Sequence, residues 1–294
     1  MLSSMARIAI IGGGSMGEAL LSGLLRAGQQ VKDLVVVERM PDRARYLADT
    51  YSVLVTSVTD AVENATFVVV AVKPSDVESV MGYLVQAAAV ENDNTEQVFV
   101  SVAAGVTIAY LESKLPTGTP VVRAMPNAAA LVGAGVTALA TGRFVNSQQL
   151  DEVSALFDAV GGVLTVAEPH MDAVTAVSGS GPAYFFLLIE ALVDAGVAVG
   201  LTRQVATELA VQTMAGSSAM LLERMDQDRR SVEVASLDAR ADTTVAQLRA
   251  TTTSPGGTTA AALRELERGG LRVAVDAAVQ AAKSRSEQLR ITSE

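Results

Sequence analysis

The sequence has no cysteine and a single histidine, His170, among its 294 residues. Disulfides, thiolate nucleophiles and cysteine-ligated metals are thereby excluded, and one histidine gives no basis for a metal site. Aromatic residues make up only 4% of the chain and charged residues 18%, the latter below a usual share of about 25%. Basic charge is the scarcer kind, with 22 Lys and Arg against 32 Asp and Glu and a net charge of −10. Phosphate backbones reward basic surfaces, so no nucleic-acid partner is expected, and any anionic ligand has to be held locally. An uninterrupted membrane span is missing too: the most apolar window, Tyr184 to Leu201, contains Glu190 and Asp194. The N-terminus lacks a basic region followed by an apolar stretch and a cleavage site. A cytoplasmic protein with no membrane partner is expected.

What the chain has in excess is aliphatic. Half of it is hydrophobic, supplied mainly by alanine and valine, and the mean hydropathy is +0.35. A monomer would have to expose much of this material, so surface hidden between subunits, and hence an oligomer, is expected. The length accommodates two domains. Up to residue 167, valine-rich strands alternate with helical stretches, which predicts an α/β domain with a mostly parallel, doubly wound sheet. Its strands are expected at Ala6 to Ile11, Leu34 to Val37, Val53 to Thr56, Phe67 to Val72, Val98 to Val102, Val121 to Ala124, Val136 to Ala140 and Val163 to Val166. Over residues 168–294 the strands give way to an all-α domain. Its helices are expected from Pro182 to Val199, from Arg203 to Met225, from Thr258 to the Gly269-Gly270 stop, and from Leu271 to Leu289. The charged stretch from Asp226 to Arg240 reads as a solvated loop or helix extension without chemistry.

The first strand runs into Gly12-Gly13-Gly14-Ser15-Met16-Gly17 and then an apolar helical pattern. This is G-x-G-x-x-G between a strand and a helix. Gly12 permits the tight turn, Gly14 lets backbone approach a pyrophosphate, Gly17 allows close helix–strand packing, and Ser15 and Met16 open the helix whose N–H groups face the ligand. The second strand ends at Glu38, about 20 residues past the last glycine, where an acid can bind a ribose diol. Glu38 favours NADH, whereas the adjacent Arg39 suits the 2′-phosphate of NADPH, and the choice stays open. The apolar run from Phe67 ends in Ala71-Val72-Lys73-Pro74 at the carboxyl edge of the sheet, where such sheets bind ligands.

A second glycine turn, Ser254-Pro255-Gly256-Gly257-Thr258-Thr259, precedes an alanine-rich helix. Its successive N–H groups can form an anion nest for a carboxylate, with hydroxyls beside it. An ordinary helix cap is the alternative.

These segments, with Ala103-Ala104-Gly105-Val106-Thr107, Arg123-Ala124-Met125-Pro126-Asn127, Ser178-Gly179-Ser180-Gly181-Pro182 and Gln212-Thr213, resemble the pyrroline-5-carboxylate reductases over nearly the whole length. The resemblance implies a Rossmann-like first domain, residues 1–167, and a helical substrate-binding and dimerisation domain, residues 168–294. Gly12 to Gly17, Ala71 to Pro74 and Val102 to Ala104 would line the nicotinamide dinucleotide, with Asn127 near its reactive end. Thr258 and Thr259 would hold the pyrroline or proline carboxylate through N–H groups, the Thr259 hydroxyl lying near the ring nitrogen. Ser180 and Thr213 would face the same site, completed across a homodimer that the family often builds into a ring of dimers. The chain departs from the family at Thr244-Val245, where many relatives have His-Pro, and in the charged stretch, which resembles an insertion and unsettles any role for Asp242.

Hydride transfer to an imine carbon needs little side-chain chemistry, since a protonated pyrroline is already electrophilic and its proton can arrive with the substrate or from water. No side chain is therefore assigned as a catalytic acid, and His170 is read as structural or surface. A hydroxy-acid dehydrogenase would want a Lys or His near the domain junction, yet the long helices offer no lysine before Lys283. A non-catalytic dinucleotide-binding regulator would need no second anion nest.

Overall fold

The computed structural model describes residues 6–88, 97–231 and 244–292. The chain divides into two compact units, Met1–Pro182 with Val279–Glu294, and Ala183–Ala278.

The first unit is a sheet of eight strands: β1 (Ile8–Ile11), β2 (Leu34–Val37), β3 (Leu54–Val55), β4 (Phe67–Val70), β5 (Val98–Ser101), β6 (Val121–Met125), β7 (Gly135–Thr141) and β8 (Gly161–Thr165). Their spatial order is β3-β2-β1-β4-β5-β6-β7-β8. Strand order reverses beside β1, which is the switch point of a doubly wound sheet. All pairs are parallel except β6 with β7. The helices here are α1 (Ser15–Arg26), α2 (Pro41–Tyr51), α3 (Val58–Val62), α4 (Val77–Ala88), α5 (Ile108–Lys114), α6 (Ser147–Asp158) and α7 (Met171–Val174). The valine strands are apolar on both faces because each face is covered. Ile8, Ile10, Val69 and Val100 pack with α1 and α6 residues such as Leu20, Leu24 and Phe157, and Ile11, Val68 and Val70 pack with Met81, Leu84 and Leu111.

The sequence places all eight strands, with small shifts. Val53 is buried but lies outside β3, which is only Leu54–Val55, and β4 and β5 stop at Val70 and Ser101. The departing residues form the turns described below.

The remaining helices are α8 (Gly181–Ala198), α9 (Arg203–Ser231), α10 (Thr244–Thr251), α11 (Thr258–Arg268) and α12 (Leu271–Gln288). α9 runs past the expected Met225 into the charged stretch, whose part beyond Ser231 lies outside the described residues. α10 is an additional helix. Within the second unit only Val193, Ala206 and Thr244 are buried among the described residues, while Phe185, Phe186, Leu187, Leu192, Leu209 and Leu222 are exposed on the single chain. Among the described residues one helical stretch, Glu168–Ala198, is long and apolar enough to cross a membrane by length and composition.

Candidate active site

The glycine turn shows which glycines the fold needs. Gly12 has φ +112°, and a Cβ there would lie 2.6 Å from the Ala71 carbonyl oxygen. Its N–H donates to Val37 O at 2.9 Å, tying the turn to the end of β2. A Cβ on Gly17 would lie 1.9 Å from Gly12 O, so α1 could not sit this close to β1 with any larger residue. Gly14 is different. It caps α1 with an ordinary φ of −67° and no side-chain cap, and a Cβ there would meet nothing within 4 Å. The folded chain has no steric need for glycine at 14. A side chain would instead stand in open space beside the start of α1, where no side chain caps the first-turn N–H groups.

Charged groups brace the turn from behind. The Glu38 carboxylate accepts the Gly13 N–H at 3.1 Å and the Met40 N–H at 2.8 Å, and its oxygens have lone pairs for further donors. Arg43, on α2, donates its Nε to Gly13 O at 2.7 Å and pairs with Glu18 on α1. Both ends of the Gly13 residue are thus held by opposite charges. Glu18 also accepts the hydroxyls of Tyr51 at 2.8 Å and Tyr46 at 3.1 Å. Burial alone would push the Glu18 carboxyl up, but these bonds and the Arg43 charge hold it below the ordinary value. Burial and the bond to Glu18 push the Tyr51 phenol up to about 12. No motif marks Arg43 in the sequence. Arg39 is 76% exposed and sits 3.4 Å from Asp76.

The other residues expected on the cofactor side lie along the same carboxyl edge. Ala71 N–H donates to Ile11 O at 2.8 Å and Val102 N–H to Val70 O at 3.0 Å, so the turns after β1, β4 and β5 are laced together. Val72 follows Ala71, and exposed Lys73 leads into a short 3-10 turn, Pro74–Asp76. Ala103 is 3% exposed and Ala104 half-buried. Asn127, just after β6, accepts the Val136 N–H through Oδ1 at 3.3 Å. Before α8, residues Thr175–Gly179 form a π-helical turn, a feature common at functional sites. Ser180 closes it, its N–H donating to Thr175 O at 2.8 Å. A Cβ on Gly179 would lie 2.7 Å from Met125 Cε, which brings the Ser180 turn to the end of β6, two residues from Asn127.

In the second unit, Gly256 takes the left-handed conformation, φ +69°, and Gly257 N-caps α11 with no side-chain cap. Thr258 and Thr259 are the first two residues of that helix and are exposed, as are Ser254 and, on α9, Thr213. No side chain caps the start of α11, so its first-turn N–H groups lack a side-chain partner there. His170 is exposed at the end of a short turn, Glu168–His170.

A doubly wound sheet with this cradle on its carboxyl edge, followed by a bundle of long helices, defines a nicotinamide-dinucleotide oxidoreductase. Residues 7–105 match the family model described as NADP oxidoreductase coenzyme F420-dependent, and residues 168–289 match the model for pyrroline-5-carboxylate reductase dimerisation. The chain is 86% identical to a pyrroline-5-carboxylate reductase of Mycobacterium leprae (strain TN), over the whole of both chains. It superposes on the structure of a pyrroline-5-carboxylate reductase from Coxiella burnetii with TM-score 0.85 and 34% identity, covering 98% of this chain and 100% of the other. It superposes likewise on the Plasmodium falciparum pyrroline carboxylate reductase with NADP bound, with TM-score 0.77 and 29% identity over 97% and 98% of the two chains. The chain belongs to the pyrroline-5-carboxylate reductase family.

Proposed function

We propose that this chain reduces 1-pyrroline-5-carboxylate to L-proline by hydride transfer from NADPH or NADH, the last step of proline biosynthesis. The observation that carries the reading is the pair of uncapped helix N-termini behind glycine turns, one at Gly14 and one at Gly257. Two anion-binding turns serve a pyrophosphate and a carboxylate.

The nicotinamide cofactor, when bound, supplies the hydride. Gly12, Gly14, Ser15, Met16 and Gly17 hold its pyrophosphate, and Glu38 and Arg39 meet its adenosine ribose. Ala71 to Pro74, Val102 to Ala104 and Asn127 line the rest. Ser254, Gly257, Thr258 and Thr259 hold the substrate carboxylate, with Ser180 and Thr213 beside the ring. Fixing the ring's orientation is the main task of these residues, and no side chain needs to act as an acid.

Residues 1–167 serve as the dinucleotide domain and residues 168–294 as the substrate and dimerisation domain. The exposed apolar helices of the second unit support a homodimer at least, with a ring of dimers as the larger assembly and the site completed by both chains. The apolar stretch Glu168–Ala198 then faces protein rather than lipid, and the acidic balance speaks against nucleic acid; the compartment is the cytoplasm. The test is incubation of purified protein with pyrroline-5-carboxylate and NADPH or NADH, followed at the nicotinamide absorbance. Absence of turnover with both would defeat the reading.

A further inference from the structure

A buried carboxylate outside this site lies where α12 ends. Asp172, on α7, is 2% exposed. Its Oδ1 accepts the Ser286 hydroxyl at 2.6 Å, and its Oδ2 accepts Arg290 Nε at 2.8 Å and also the Arg290 Nη2. Burial alone would push this carboxyl up, but the bonds from Ser286 and Arg290 outweigh it and hold it below the ordinary value, so Asp172 is ionised at neutral pH. A charged, multiply bonded carboxylate of this kind fixes the end of α12 against α7.

The residues that follow are delivered onto one turn. Ile291 N–H donates to Gly105 O at 2.8 Å, while the N–H and the hydroxyl of Thr107 each donate to Ile291 O at 3.2 Å. Ile291 and Val106 form a parallel bridge. The approach is close enough to require glycine at 105, which has φ +77° and whose Cβ would lie 2.8 Å from Leu289 O. Val106 N–H in turn donates to Ala103 O at 3.4 Å, so a shift of residues 105–107 carries Ala103 with it. The far side is held as well: Glu168 accepts the Ile108 N–H at 2.7 Å and Arg123 Nη1 at 3.3 Å.

We infer that residues 289–292 are a strap that sets the position of the Val102 to Ala104 turn, and that Arg290, through Asp172, is a positioning residue for the nicotinamide end of the cofactor. The inference rests on the reading of that turn as cofactor-lining, and on its place after β5, on the opposite side of β1 from β2 and Glu38, away from the end read as meeting the adenosine ribose. Its bonds reach the main chain directly beyond the lining residues, so the strap acts on that end of the dinucleotide and leaves the Gly12 to Gly17 cradle alone.

The test compares whole dinucleotides with ADP, which reaches only the cradle. Dissociation constants for NADPH, NADH and ADP are measured by titration of the full chain. Arg290→Ala is expected to weaken the preferred dinucleotide about tenfold, which is about 1.4 kcal/mol of binding free energy, with ADP binding unchanged, and Arg290→Lys to restore most of the loss. Should Arg290→Ala not fold, Ser286→Ala carries the same pattern in smaller measure. Unchanged dinucleotide affinity, or equal loss of dinucleotide and ADP, overturns the strap. A wild-type chain that binds ADP but gains no affinity from the nicotinamide half would overturn the reading of the turn and the inference with it.

Discussion

The two units use similar aliphatic material to opposite ends. In the first, Val68, Val69 and Val100 are fully buried, because each face of the sheet meets the apolar stripe of a helix. In the second, Phe185, Phe186 and Leu187 are 57%, 67% and 67% exposed on the single chain. A helix that is apolar around most of its circumference cannot be covered along a single stripe, as an amphipathic helix can. The first unit therefore covers its aliphatic material within one chain, whereas the second leaves its own on the surface of a single chain, in keeping with its match to a dimerisation family.

The harshest test of that contrast is Leu188→Arg. Leu188 is 42% exposed on the single chain, where an arginine would be harmless. In a dimer interface an unpaired buried charge costs about 3–5 kcal/mol, so dissociation or unfolding with loss of activity is expected in sedimentation and turnover assays. A wild type that sediments as a fully active monomer would break the contrast.

Within the cradle, Gly17 and Gly14 separate fold from function. Gly17→Ala forces a Cβ into the Gly12 backbone and should lower stability by about 1–3 kcal/mol or more, read as the melting midpoint. Gly14→Val should melt near the wild type yet lose dinucleotide binding. Retained affinity in that variant would remove the pyrophosphate from this turn.

Glu38 and Arg39 give a smaller, opposed pair. Glu38→Ala removes repulsion against a 2′-phosphate and should raise the NADPH to NADH ratio of kcat/KM. It should also weaken both cofactors, because Gly13 and Met40 lose their acceptor. Arg39→Ala should lower the ratio. An unmoved ratio in both would shift adenosine recognition elsewhere.

The mildest effect is alkaline. With a folded value of about 12 against about 10 unfolded, Tyr51 favours the native state fully below pH ~10. That contribution fades as pH rises towards the folded value. Tyrosinate absorbance should show a late-titrating phenol that Tyr51→Phe abolishes.

Much of this was legible in the sequence, because valine runs and glycine spacing are local signals. Strand direction was less so: β7 turns antiparallel because only residues 126–134 separate it from β6, too few for a parallel crossover. Contacts between distant positions were not legible at all. Arg43 reaches back 30 residues to Gly13, and Arg290 reaches back 118 to Asp172; neither carries a motif. The turn at Ser254 to Thr259 could be read as cap or nest, and Gly257 does stand at the N-cap of α11 without a side-chain bond, an arrangement that serves either reading.

The greasy surface of α8 also has a history, that of the chain before it has met a partner. A newly made copy carries a segment that passes for a membrane span, yet Glu190 and Asp194 interrupt its apolar character, and an acidic residue in a membrane helix is costly. Such an acid biases the segment towards water while it waits. What ends the wait is collision with another copy, so recovery of activity on refolding should accelerate with chain concentration, and dilution should divert chains into aggregates.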